Sequence, residues 1–364
     1  MWKKTNAKIT PKFLSQFGCP GPATYKKSWY DYNVMSLNNR YTPLPGSTLN
    51  PYNICLGTGD IGAIDLQTAF ALLDAYFEQG GNFLDSAKIY ADWLPGERSS
   101  SEKTIGRWLR ARGNRPRLIL ATKGGHPDLT SMHIPRLSPL EIRDDLHHSL
   151  QNLQSEWIDL YWLHRDDPQR PVEEILETLH DLVIAGKIRY FGCSNWRSGR
   201  IRNANAYAQE HGFTGFIGDQ MMWSMAVVDV PAIGDPTIEV MNPQLYKYHR
   251  ETGLAAVPFT SQANGLFQKL GSGSFSQLSK RQQAIYTSPE NLRRFERARR
   301  LAAHRNISLT QVVLSYLLSQ PFATFPIIGP KKINHLLDSL SAADIKLEEV
   351  EIQFLEHGTG IDQF

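Results

Sequence analysis

Cysteine is scarce in this chain: Cys19, Cys55 and Cys193 are its three. They are too few and too scattered for a disulfide framework or a four-ligand structural zinc site. No apolar stretch approaches the roughly 20 residues of a membrane span. After Met1-Trp2-Lys3-Lys4-Thr5 no apolar segment follows the lysines, so a secretory leader is not expected. An excess of one charge is also missing. Lys and Arg number 39 against 36 Asp and Glu, a formal net charge of +3, which gives no reason to expect nucleic acid or an acidic membrane as partner. The arginines at 293–294 and from Arg297 to Arg300 read as the wet face of one helix. A metal-free protein in a reducing, cytoplasmic compartment is the expectation these absences leave.

What is present is a long alternation of apolar runs and amphipathic segments. Hydrophobic residues make up 41% and charged residues 21%, ordinary for a chain with a large core. Residues 1–40 lack periodicity and read as an irregular N-terminal extension, with residues 41–364 as one domain. Tyr41 to Tyr52, with Pro-Gly-Ser at 45–47, reads as a short hairpin. Strands are predicted at 53–57, 81–85, 117–123, 158–164, 188–193, 215–220, 254–259 and 323–328. Helices are predicted near 66–79, 101–112, 139–154, 172–185, 197–210, 240–251, 291–305 with 309–319, and 332–340. Ser138-Pro139-Leu140-Glu141 combines a capping box with proline at the first helical position. Eight strands each followed by a helix is the count of a (β/α)8 barrel, the TIM-barrel class of α/β fold. Long loops are expected at 124–138, 221–239 and 260–290, the last with Gly271-Ser272-Gly273-Ser274 as a mobile flap.

Four polar residues sit at or just beyond strand C-termini: Asp85, Tyr90, Lys123 and His164. In such a barrel these ends converge on one mouth, where chemistry is done. Each residue alone has an ordinary structural explanation: a buried ion pair, a packed rim tyrosine, a satisfied polar histidine. Together they make a proton-transfer site.

Gly57-Thr58-Gly59-Asp60-Ile61-Gly62 matches the dinucleotide fingerprint G-x-G-x-x-G, and Asp85 follows roughly where that motif wants an acid. The helix begins near Asp65, however, after the third glycine, so a pyrophosphate would miss its N-terminus. Strand-helix units also continue past six, and Asp85 has a better use beside Lys123 and Tyr90. A Rossmann-type dehydrogenase using Gly57, Gly59 and Gly62 therefore stands as an alternative only.

From about residue 41 to about 355 the chain resembles the aldo/keto reductases. The resemblance rests on Leu56-Gly57-Thr58, Asn82 to Ala87 with Tyr90, Ala121-Thr122-Lys123, Ile158 to Tyr161 with Leu163-His164-Arg165, Gly186 to Asn195, Gln220 and Ile328 to Lys331. It implies an NADPH-dependent oxidoreductase acting on a small-molecule carbonyl or alcohol. Tyr90 would be the general acid or base, Lys123 would lower its pKa, Asp85 would hold Lys123, and His164 would orient the carbonyl. The resemblance assigns Ser194, Asn195 and Gln220 to the nicotinamide carboxamide, and Phe259 to the nicotinamide ring. Thr260-Ser261-Gln262 departs from the usual Ser-Pro-Leu. Gly265 and Leu266 fall by the pyrophosphate, Gly57, Thr58 and Asp85 are further implied cofactor contacts, and Gly329, Lys331, His335 and Ser339 lie on the adenine side. Lys331 there favours NADP(H) over NAD.

Trp93, Trp223 and Trp196 follow strands two, six and five, where they would line the mouth. Trp93 and Trp223 are expected to shape the substrate pocket, with a sugar or related hydroxylated carbonyl as one candidate substrate. Trp162 alternates with Leu160 and His164 and should point inward. Two other whole-chain readings remain at this point. One is a non-catalytic, cofactor-binding regulatory protein on the same barrel, and the other is a lyase or isomerase using Lys123 as a Schiff-base amine.

Overall fold

The computed structural model describes residues 40–359. The predicted extension lies outside the described residues, apart from Arg40. Eight parallel strands follow: β1 Cys55–Gly57, β2 Phe83–Asp85, β3 Ile119–Gly124, β4 Ile158–Leu163, β5 Ile188–Ser194, β6 Gly218–Gln220, β7 Ala255–Ala256 and β8 Ile327–Ile328. They run in the order β7-β6-β5-β4-β3-β2-β1-β8. The two ends of that sheet meet through a parallel bridge between Ala256 and Thr324. Ala256 N donates to Ala323 O at 2.9 Å and Phe325 N to Ala256 O at 2.8 Å. The expected (β/α)8 barrel is therefore closed, and an open Rossmann sheet is excluded.

β7 and β8 are shorter than predicted because proline cannot donate to a ladder. Pro258 and Pro326 break the donor row, while Val257 N still reaches Asp219 O at 2.8 Å and Phe259 N reaches Met221 O at 3.0 Å. The helices follow their start signals. Asp65 caps Leu66–Glu78 by accepting from Thr68 N at 2.9 Å, and Ser138 with Glu141 forms the predicted box before Pro139–Leu153. The span 260–290 differs from the expected flap. It carries helices Leu266–Gly271 and Lys280–Tyr286, which bury Leu266, Phe267, Ile285 and Tyr286. Those side chains anchor the segment to the core, while Gly271, Ser272 and Gly273, where the first of these helices ends, are exposed.

Two cores follow from the two-residue strand period. Outward side chains such as Leu84, Leu120, Tyr161 and Phe191 meet the helices. Inward ones fill the barrel: Cys55, Phe83, Ile119, Ala121, Leu160, Trp162, Ile217 and Phe325. The predicted hairpin is present, with Tyr41 bridged to Tyr52 and Leu44 N donating to Leu49 O at 2.9 Å. Its Leu44 and Leu49 join the interior cluster, so the hairpin contributes to the apolar filling of the barrel.

Two of the fingerprint glycines serve packing. A Cβ on Gly57 would stand 2.5 Å from Ile327, and one on Gly62 would stand 2.4 Å from the Ser101 backbone nitrogen. They let β8 and the helix Ser100–Arg112 approach. Trp162 has the same need inside the barrel. A Cβ on Gly192 would lie 2.3 Å from its ring and 2.7 Å from Gly218 O. Gly192→Ala should therefore destabilise the fold by about 2 kcal/mol through overpacking. Urea unfolding measures this, and an unchanged midpoint would mean that the ring has room to move.

Candidate active site

Inward alternation carries the apolar filling upward into polar groups. Phe83 is followed two residues later by Asp85, Ala121 by Lys123, and Trp162 by His164. Parallel pairing sets Asp85 opposite Ala121 and Lys123 opposite Trp162, so Lys123 and His164 each stand one inward position beyond the residue paired with the preceding strand. Tyr90 arrives from the β2 loop, turned by Ala91 at a φ of 72°. Asn195 and Thr260 also hold left-handed backbone, at 62° and 55°. Such strain gathers where surrounding structure fixes a functional loop.

Lys123 organises the cluster. Its Nζ donates to Asp85 Oδ2 in a short ion pair, to Ser86 O at 2.8 Å and to Tyr90 Oη at 3.0 Å. Gln220 Nε2 donates to the other Asp85 oxygen at 2.8 Å. Burial pulls the Lys123 pKa down, but Asp85 and Tyr90 more than offset it, so the amine stays protonated. An ammonium with three hydrogen-bond partners has no lone pair for a carbonyl carbon, which counts against the Schiff-base reading.

The electrostatics revise one expectation. Burial raises the Tyr90 pKa more than Lys123 lowers it, and the phenol ends above its ordinary value. Tyr90 is thus a neutral proton donor at neutral pH. His164 is held well below its ordinary value by burial, then by His126, Arg165 and Lys123. Its Nδ1 is buried without a partner. A bare lone pair there costs less than an orphaned N–H, which favours the proton on Nε2. The His164 ring stands edge-on to Tyr90, with centroids 5.8 Å apart.

The residues expected around a cofactor divide by environment. Ser194, Asn195 and Gln220 are buried at adjacent strand ends. Asn195 Nδ2 donates to His164 O at 3.2 Å, and Gln220 Oε1 is buried with no partner. Thr58 is committed elsewhere, its hydroxyl donating to Asp85 O at 3.0 Å, and Gly57 lies against Ile327 and Ile328. Phe259 is partly buried against the core, and Thr260 is partly buried. Ser261 Oγ donates to Ile327 O at 2.6 Å. Gln262 Nε2 donates to Ser339 Oγ at 3.3 Å, and Ser339 Oγ donates to His335 O at 2.8 Å. Gly265 has a left-handed φ of 76° and Leu266 is buried. Gly329, His335 and Lys331 are exposed, and Lys331 Nζ pairs with Asp60 Oδ2 at 3.1 Å.

Two tryptophans are corrected. Trp223 is buried with Tyr246, Tyr316 and Phe322 around it, so it packs the helical side and leaves the pocket to others. Trp196 is fully buried against Phe216. Trp93 is 51% exposed, with its ring 6.1 Å from that of Tyr90.

Sequence reasoning missed His126 and Arg165. The His126 ring stands 4.7 Å from that of His164. Arg165 is buried, donating to His164 O at 2.9 Å and to Thr237 Oγ1 at 2.8 Å, with Asp235 at 3.5 Å. Arg165 stands among the residues that carry the resemblance but without a role, and the one signal for His126 is its place in a long loop after a strand end.

Burial and then Arg165 pull the His126 pKa down to about 4, from about 6.5 in an unfolded chain. Between those values the unfolded chain binds a proton that the folded chain refuses. Stability is therefore complete above the upper value and falls as pH drops through this window, by about 3 kcal/mol in all. Urea unfolding from about pH 7 to about pH 4 should show a shallower decline for His126→Gln. An identical decline would place the proton uptake on other groups.

A family model described as the aldo/keto reductase family matches residues 53–357. The aldo-keto reductase ausK of Aspergillus calidoustus is 32% identical over 82% of this chain and 74% of its own length. An aryl-alcohol dehydrogenase [NADP(+)] of Phanerodontia chrysosporium is 30% identical over 85% of this chain and 83% of its own. A crystal structure of a thermostable aldo-keto reductase with the inhibitor epalrestat shares the fold at a TM-score of 0.66 and 22% identity. It covers 87% of this chain and 98% of that one. No helix among the described residues is long and apolar enough to cross a membrane. The barrel, the strand-end cluster at its mouth and these similarities lead to one conclusion: the chain belongs to the aldo/keto reductase family.

Proposed function

We propose that this chain reduces an aldehyde or ketone to an alcohol with NADPH, and that Tyr90 delivers the proton. The observation that carries the reading is the Tyr90 hydroxyl 3.0 Å from a buried, protonated Lys123 that Asp85 holds in place. A carbonyl accepting hydride develops alkoxide charge, and preorganised donors aimed at that oxygen stabilise it. Tyr90 Oη–H and His164 Nε2–H are neutral donors and need no proton uptake beforehand. As Tyr90 gives up its proton, the Lys123 ammonium stabilises the phenolate left behind.

The residues present fit a nicotinamide dinucleotide, which supplies the hydride when bound. The orphaned Gln220 Oε1 is an acceptor suited to the N–H of a carboxamide. Ser194 and Asn195 would complete that end, and Phe259 would take the ring. The phosphates would fall to Lys331 and Lys269, whose amine Lys331 helps to depress after burial. The Lys331–Asp60 pair is exposed, 71% and 54% at the side chains. Such pairs contribute at most about 1 kcal/mol, so a 2′-phosphate can take Lys331 from Asp60.

Tryptophan-fluorescence titration tests the cofactor, with NADPH expected to saturate well ahead of NADH. Lys331→Met should weaken NADPH about fivefold, the loss of one exposed pair, and leave NADH unchanged. Binding of NADH alone would overturn the 2′-phosphate assignment. Tyr90→Phe should lower carbonyl turnover by about 100-fold to 10,000-fold while NADPH still binds. Turnover at the wild-type rate would remove Tyr90 as proton donor.

A further inference from the structure

The loop that carries His126 is fixed by hydrogen bonds to a buried carboxylate. That carboxylate is Asp145, accepting from Gly125 N at 2.9 Å and from Arg136 at 3.0 Å and 3.2 Å. Arg136 Nη1 also donates to His126 O at 3.2 Å. Gly125 makes the turn with a φ of 71°, and a Cβ there would stand 2.4 Å from Leu137. The ring is only partly buried, unlike that of His164.

The tautomer of His126 follows from its one local bond. Nδ1 lies 2.6 Å from Pro127 O. A carbonyl only accepts, so Nδ1 carries the proton. The low pKa of this ring keeps it neutral. Nε2 is then a bare acceptor, with no hydrogen-bond partner among the described residues. The carbonyl oxygen of a substrate receives its hydrogen bonds from Tyr90 and His164, both donors. His126, with its ring 4.7 Å from that of His164, offers the opposite polarity one step away. An oxygen beside the carbonyl would have to bring its own proton to bond there.

We infer that His126 is a specificity-determining residue, whose Nε2 accepts a hydrogen bond from a hydroxyl on the carbon next to the reacting carbonyl. The preferred substrate class is thus the α-hydroxy aldehyde or ketone, reduced to a vicinal diol. This rests on the reductase reading above. A carbonyl with only hydrogen at that carbon leaves Nε2 without its partner, and a site built to bond a hydroxyl discriminates strongly against an analogue lacking it.

The test compares glyceraldehyde with propanal, with NADPH saturating and KM corrected for aldehyde hydration. In the wild-type enzyme KM for glyceraldehyde should lie at least tenfold below that for propanal, and equal values overturn the inference. His126→Phe, a ring without the acceptor, should lower the glyceraldehyde-to-propanal ratio of kcat/KM at least tenfold, mainly through KM for glyceraldehyde. His126→Gln, which restores an acceptor oxygen, should recover most of that ratio. A ratio unmoved in a folded His126→Phe protein also overturns the inference. If the wild-type protein binds NADPH but reduces neither aldehyde, the reductase reading itself fails and takes this one with it.

Discussion

The ion pair between Asp85 and Lys123 is the constraint around which the barrel mouth is arranged. Both side chains are almost wholly buried, and taking two such charges out of water costs several kcal/mol each unless every donor and acceptor is used. Here the remaining capacity is taken by Ser86 O, Tyr90 and Gln220. Losing one partner from a buried pair costs about 3–5 kcal/mol, a large share of any domain's stability. The strands that carry these residues are therefore bound together by polar satisfaction as well as by apolar packing.

Beneath the pair the barrel is filled with apolar side chains. Trp162, Phe83 and Phe325 fill it, with Leu44 and Leu49 of the hairpin in the same cluster. That apolar filling acts on three titratable groups at once. It raises Tyr90, lowers His164 and opposes the charge on Lys123. Only Lys123 has a carboxylate in contact, and only Lys123 remains charged. One physical cause thus produces two neutral donors beside one cation, which is the protonation state that the proposed carbonyl reduction requires.

Much of this was legible in the sequence because it depends on a local period. Alternation along 119–123 and 158–164 places Lys123 and His164 on the inward face whatever the loops do. What was illegible depends on distant partners. Trp223 and Trp196 follow strand ends, but whether such a residue turns to the mouth or to the helices is decided by Tyr246, Phe322 and Phe216. His126 is placed by Asp145, a residue on the following helix that gives no sign of its role in a linear reading. The fingerprint spacing could stand as an alternative for the same reason. It matches a phosphate loop, while the atoms that Gly57 and Gly62 avoid belong to β8 and to the helix Ser100–Arg112.

Gln220 joins the ion pair to the proposed cofactor side. A carboxylate only accepts, so the amide must turn its Nε2–H toward Asp85. That leaves Oε1 buried and unpaired, an arrangement that costs about 1–3 kcal/mol when nothing answers it. The charge on Asp85 thus determines which face of the amide remains free, and the free face is an acceptor. A carboxamide N–H relieves that cost and a carboxylate in its place would not. In the proposed reading the proton-transfer cluster and the nicotinamide end form one hydrogen-bonded unit, in which holding Lys123 also selects what can bind beside it.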